Sequence, residues 1–122
     1  MESSYFTRGE KEYLLKVARL TLEAWVYRRE TYEPQTVNQK LWVDCGLGVV
    51  LYREKEIAGQ AASGETPMTL LLGIRDLALK CVRQADNNGI MANELPEYRF
   101  EIAVTITGDH GDPETVVFTE GN

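Results

Sequence analysis

A chain of 122 residues, 43% hydrophobic and 26% charged, has the size and composition of one globular domain with a real core, not of a disordered segment. Thirteen Lys and Arg against nineteen Asp and Glu give a net charge of −6. That balance argues against a general nucleic-acid binder, which needs a basic face for phosphates, and against docking on anionic lipid. No stretch approaches the ~20 apolar residues that span a bilayer; Met68 to Leu79 is broken by Arg75 and Asp76.

In chain order, Met1 to Tyr5 carries neither the basic nor the apolar part of a secretory leader, so a cytoplasmic protein is expected. Thr7 and Glu10 have the spacing of a capping box. After them Leu14, Val17, Ala18, Thr21 and Trp25 recur at helical spacing, widened by Leu15, Leu22 and Val26. The pattern predicts a helix from Arg8 to Tyr27. Arg28 to Asn38 is polar, holds Pro34, and reads as a surface loop with a short turn before Leu41 and Trp42. Tyr32 and Trp42 either form an exposed aromatic contact surface or fold back over the first helix.

Gly46 to Tyr52 is apolar and β-branched, and Glu56 to Ala62 follows a charged reversal, Arg53-Glu54-Lys55. The two predict a β-hairpin. Thr66 and Pro67 fit the N-cap and first position of a second helix. Leu70, Leu71, Ile74, Leu77, Ala78, Cys81 and Val82 give that helix a broad apolar face, and Asn87-Asn88-Gly89 ends it. Tyr98, Phe100, Ile102, Val104 and Ile106 alternate with Arg99, Glu101, Ala103, Thr105 and Thr107, the clearest strand signal in the chain. Val116 to Phe118 reads as a last short strand. The order α-β-β-α-β-β predicts an α+β domain over residues 1–122: a small, mainly antiparallel sheet with two principal helices on one face.

These phrases, in this order, resemble the AMMECR-type domain family. Glu10-Lys11-Glu12-Tyr13-Leu14-Leu15 through Leu22-Glu23-Ala24-Trp25 is similar to that family's opening helix, and Gly48-Val49-Val50-Leu51 to its GxFVTL strand. Ile57-Ala58-Gly59-Gln60-Ala61-Ala62 stands at its signature hexapeptide LRGCIG, and Pro67-Met68 where the family has Pro-Leu. Asn93-Glu94-Leu95 through Ile102-Ala103-Val104 resembles its strand of the form IEVSVL. The resemblance is strongest over residues 10–106 and implies a short, divergent member. Of LRGCIG only Gly59 is unchanged; Ala58 replaces Arg and Gln60 replaces Cys, so a cysteine-based role at that position does not carry over. The family also continues beyond the point where this chain stops. Its association with Memo-like and radical S-adenosylmethionine proteins implies an alternative function, an accessory enzyme or cofactor-handling subunit.

The candidate ligand-binding residues are Gly59, Gln60 and Ser63. A glycine and a carboxamide in a strand of small residues suit the close approach of a ligand or partner backbone; they equally suit tight packing of a helix on the strand. Ser63-Gly64-Glu65-Thr66 at the start of a helix suits an anion, but Glu65 already supplies the negative charge, and ordinary capping is the better account. Cys81 falls on the apolar helix face and reads as core; Cys45 is less defined. With two distant cysteines and a single histidine, His110, no zinc site or cofactor motif is expected. The Asp109-His110-Gly111-Asp112-Pro113-Glu114 run reads as a turn, with metal ligation as its other reading. No acid–base pair or activated nucleophile stands out. The expected function is a non-catalytic cytoplasmic binding or scaffold domain, with no cofactor or metal and no nucleic-acid or membrane partner. Homodimerisation through Val116-Val117-Phe118 or the Gly46–Ala62 hairpin is the expected association.

Overall fold

The computed structural model describes residues 5–107, 111 and 113–121. The first helix, α1, runs Arg8–Arg28, one residue beyond the predicted end. Its capping box is formed: the Glu10 N–H donates to Thr7 Oγ1 at 3.1 Å and the Thr7 N–H to Glu10 Oε1 at 2.9 Å. A 3₁₀ turn, Gln39–Trp42, leads into strand β1, Asp44–Arg53. Strand β2, Glu56–Ala62, folds back on it with a bulge at Ala58, since Leu51 faces Gly59 while Tyr52 faces Ile57.

The second helix departs from expectation. Thr66 and Pro67 do not start it. Met68–Thr69 forms a two-residue strand, β3, against Asp44 and Cys45, and helix α2 spans Leu70–Ala85 with Thr69 as its cap. The Leu70 N–H donates to the Val43 carbonyl at 2.8 Å. The chain therefore crosses the end of β1 in extended form before it coils. Ser63 to Thr66 lies well before the helix, so no anion can use a helix N-terminus there.

Strand β4, Tyr98–Thr107, matches its predicted limits, and β5 extends to Pro113–Thr119. The sheet order is β2-β1-β4-β5, every neighbouring pair antiparallel. Phe100, Ile102 and Val104 are fully buried and Ile106 is packed partly against the core, which is the predicted register. Cys45, Leu47, Val49 and Leu51 join them from β1. α2 lies over β1 and β2, and α1 lies against α2 and β4, so both helices cover the same face. Phe6, Ile90 and Leu95 are also buried. Phe6 sits just before the α1 cap with its ring 6.3 Å from that of Phe118, an aromatic that precedes the helical pattern and so leaves no periodic signal.

The segment between α1 and the 3₁₀ turn folds back on the helices. The Tyr13 hydroxyl donates to the Gln35 carbonyl, Arg75 donates to the Tyr32 carbonyl at 2.9 Å, and the Tyr32 ring packs on the core. Trp42 stays 39% exposed, its ring N–H donating to the Thr36 carbonyl at 3.4 Å.

Candidate functional site

Gly59 lies on the face of β2 that meets α2. A Cβ built there would sit 2.4 Å from the Cys81 carbonyl oxygen and 2.9 Å from the Cys81 Cα. The close approach its glycine allows is thus filled by helix backbone. Gln60, one residue on, points to the opposite side and is exposed. Its backbone is bound on the outer edge of the sheet by one side chain: the Gln60 N–H donates to Gln84 Oε1 at 3.0 Å, and Gln84 Nε2 donates to the Gln60 carbonyl at 2.9 Å. Ser63 closes the hairpin, its Oγ accepting from the Leu47 N–H at 3.0 Å and its own N–H donating to the Leu47 carbonyl at 2.8 Å. Each of the three has a structural partner inside the domain, Gln60 through its backbone.

Both thiols are buried and free. Loss of hydration, with the Asp44 charge beside it, pushes Cys45 up to about 11; burial pushes Cys81 up to about 12, and its Sγ donates to the Val49 carbonyl at 3.3 Å. Neither yields a thiolate at neutral pH, and the thiolate is the nucleophile. The carboxylates of Glu10 and Asp86 are both displaced downward. Glu10 is held at about 2 by the Thr7 N–H and then by Lys40. Burial opposes ionisation of Asp86, but bonds from Arg29, Trp25 and the Ile90 N–H outweigh it. Both are fixed anions, unsuited to donate a proton near neutrality. Among the described residues no three His, Cys, Asp or Glu side chains gather to hold a metal. Asp109, His110 and Asp112 lie outside the described residues.

The concave surface lies at the end of the sheet that carries the β1–β2 turn. Glu54 there adopts a left-handed φ of 58°, and its N–H donates to the Glu97 carbonyl at 2.9 Å. Arg53 pairs with Glu97 at 2.8 Å and Glu94 at 3.3 Å. Behind them a cleft of about 510 Å³ is walled by Arg19 and Glu120. Arg19 makes a fork: its Nε and Nη2 donate to the two Glu120 oxygens at 2.9 and 2.8 Å, while Nη1 donates to the Leu95 carbonyl and Nη2 also to the Tyr98 carbonyl. Glu120 also accepts the Phe100 N–H at 2.9 Å. This network is a clip that ties α1 to the start of β4 and the end of β5. Sequence reading missed it because the two partners are a hundred residues apart and neither belongs to a motif.

The side of the sheet away from the helices has a different character. Ala62, Gly48, Ala103 and Val117 form one row across all four strands. Val50 flanks the row, and Val117 is 56% exposed. Small and β-branched side chains make this surface shallow and apolar at its centre.

No family model and no curated protein matches the chain. Among solved structures, uncharacterized protein PH0010 from Pyrococcus horikoshii has a similar fold, with a TM-score of 0.58 at 20% identity. The match covers 78% of this chain and 50% of that one, so the chain spans about half the length of its structural neighbour. At that identity the likeness is one of fold alone. Among the described residues no helix is long and apolar enough to cross a membrane.

Proposed function

We propose that this chain is a non-catalytic binding or scaffold domain that works through the uncovered side of its sheet. The observation that carries the reading is the Ala62–Gly48–Ala103–Val117 row, an apolar strip facing away from both helices. The Arg29–Asn38 segment, which is long enough to cross a sheet face, is instead bound to α1 and α2. The two buried thiols, protonated at neutral pH, support binding over nucleophilic chemistry. In the same reading the chain is a divergent AMMECR-type domain of the cytoplasm. That assignment is supported by the order of its phrases over residues 10–106.

The test is Ala103→Arg, which sets a charge at the centre of the strip. Partners are recovered from native cells with tagged wild-type and variant chains, and the interaction is then rebuilt from purified components. A partner whose affinity falls at least tenfold with the variant, while the thermal midpoint holds, supports the reading. Equal binding by both chains overturns it. Recovery of a Memo-like or radical S-adenosylmethionine protein would give the scaffold its partner class.

A further inference from the structure

The two edges of the sheet are not alike. At the β2 edge the outward backbone of Gln60 is occupied by the Gln84 carboxamide, and the bulge at Ala58 distorts the strand further. Both are devices that stop a strand from pairing with another chain. At the β5 edge neither device is present among the described residues. The Glu120 N–H donates to the Phe100 carbonyl, and in an antiparallel ladder bonded positions alternate. Phe118, Val116 and Glu114 therefore bond to β4, while Thr119, Val117 and Thr115 turn their N–H and C=O groups outward. The contact of the Thr105 and Thr115 hydroxyls at 2.9 Å fits this phase, since side chains approach most closely at non-bonded pairs. None of the described residues bonds to these outward groups.

We propose that β5 pairs antiparallel with the β5 of a second copy, in a two-fold register centred on Val117, to join the two sheets into one. The proposal rests on the binding-domain reading and names one occupant of that domain's open edge. The edge is self-complementary in sequence. About Val117, Thr115 falls opposite Thr119, Val116 opposite Phe118, and Val117 opposite itself. A two-fold interface requires this kind of match. The five residues from Thr115 to Thr119 carry no charge, so the pairing sets no like charges opposite one another within it. Just outside, Glu114 meets Glu120, whose charge is already compensated by Arg19.

Other registers fit less well. Centring on Val116 places Glu114 opposite Phe118 and brings Pro113, which has no N–H, to a bonding position. Centring between two residues sets the core face of one copy against the open face of the other. In the Val117 register the two cores continue side by side and about six backbone bonds form. The paired stretch is only about 17 Å long. Such an edge covers less than the ~1,200 Å² that stable complexes bury, so the dimer is weak and concentration-dependent.

The wild-type chain should rise from 13.8 kDa toward twice that mass in light scattering between about 10 μM and 1 mM, the range of a small interface. Val117→Cys should cross-link to itself under mild oxidation, because bonded antiparallel pairs place Cα atoms about 5.5 Å apart, within disulfide reach. Thr115→Cys should cross-link at least tenfold more slowly with itself but readily with Thr119→Cys in a mixture. Cys45 and Cys81 are buried and do not compete. Amide exchange on the unmodified protein gives a readout free of substitutions: Thr115, Val117 and Thr119 should gain protection with concentration, and Val116 and Phe118 should not. A mass that stays at 13.8 kDa, equal self-cross-linking of Val117→Cys and Thr115→Cys, or concentration-independent protection overturns the self-pairing. Those failures leave the apolar strip to be judged by Ala103→Arg alone.

Discussion

At Gly59 the β2 backbone lies so close to α2 that a Cβ would fall 2.4 Å from the Cys81 carbonyl oxygen. A glycine inside a strand of small residues signals a close approach, and the structure supplies the approaching body, the Cys81 backbone on α2. What approaches was not legible, because it depends on where α2 lands, and local spacing does not encode that. Gly59→Ala should destabilise the domain by about 1–3 kcal/mol, the cost of forcing an extra methyl into a packed core. The upper part of that range is expected because the obstructing atoms are backbone. Gly73→Ala is the informative comparison. Its added Cβ would meet Leu47 Cδ1 at 2.5 Å and Met68 Cβ at 2.9 Å. Leu47 can swing its terminal methyl aside, Met68 Cβ can yield only by a small shift of the short β3 strand, and alanine regains up to about 1 kcal/mol of helix propensity. Urea unfolding should rank Gly59→Ala well below Gly73→Ala; the reverse order would mean that α2 does not lie this close to β2.

Among the elements, α1 and β4 were legible almost to the residue because each carries its own signals, a capping box for one and strict alternation for the other. The start of α2 was not. Thr66-Pro67 and Thr69-Leu70 both satisfy local rules for a helix start, and the choice is made by pairing of Met68–Thr69 with β1, a contact invisible to propensity. The α1 capping box extends beyond its own helix, since Lys40 reaches Glu10 at 2.9 Å and Asn38 Nδ2 donates to it at 2.9 Å. The Thr7 N–H foremost, then Lys40 and Asn38, hold the Glu10 carboxyl at about 2 against its ordinary 4.5. A pKa depressed by folding gives stability that is complete above pH 4.5 and is lost as pH falls toward 2. With the site still partly open to water, the loss should be about 1–2 kcal/mol. Thermal midpoints followed from pH 7 to pH 2 should show this fall in the wild type and a shallower one in Glu10→Gln; parallel curves would remove Glu10 from the account.

At the scale of the whole molecule, the Arg19–Glu120 fork holds the last strand to the body of the domain. Both side chains are about four-fifths buried, at 21% and 19% exposure. Arg19→Ala leaves a carboxylate and two carbonyls without their donor, and should cost about 2–4 kcal/mol. Removing both partners with Glu120→Ala should cost less than the sum of the single changes, because they share one interaction. Additive losses in urea would show that the fork is incidental. The order of the main helices and strands along the chain, the two-helix layer and the core register were all present in the hydrophobic pattern. The clip and the unequal edges were not, since they depend on individual polar side chains, Arg19, Glu120 and Gln84, whose partners are assigned only once the chain has folded.

The Gln84 carboxamide has a consequence beyond the single chain. A sheet with two free edges behaves as a bifunctional monomer: each addition leaves another reactive end, and growth runs on to a fibre. With Gln84 stopping one end at Gln60, the domain has a valence of one. Two copies joined through β5 as proposed would present only stopped ends, and the chain reaction would terminate at its first step. If the proposed β5 pairing forms, a single glutamine at the end of α2 limits the assembly to two copies rather than an open-ended polymer.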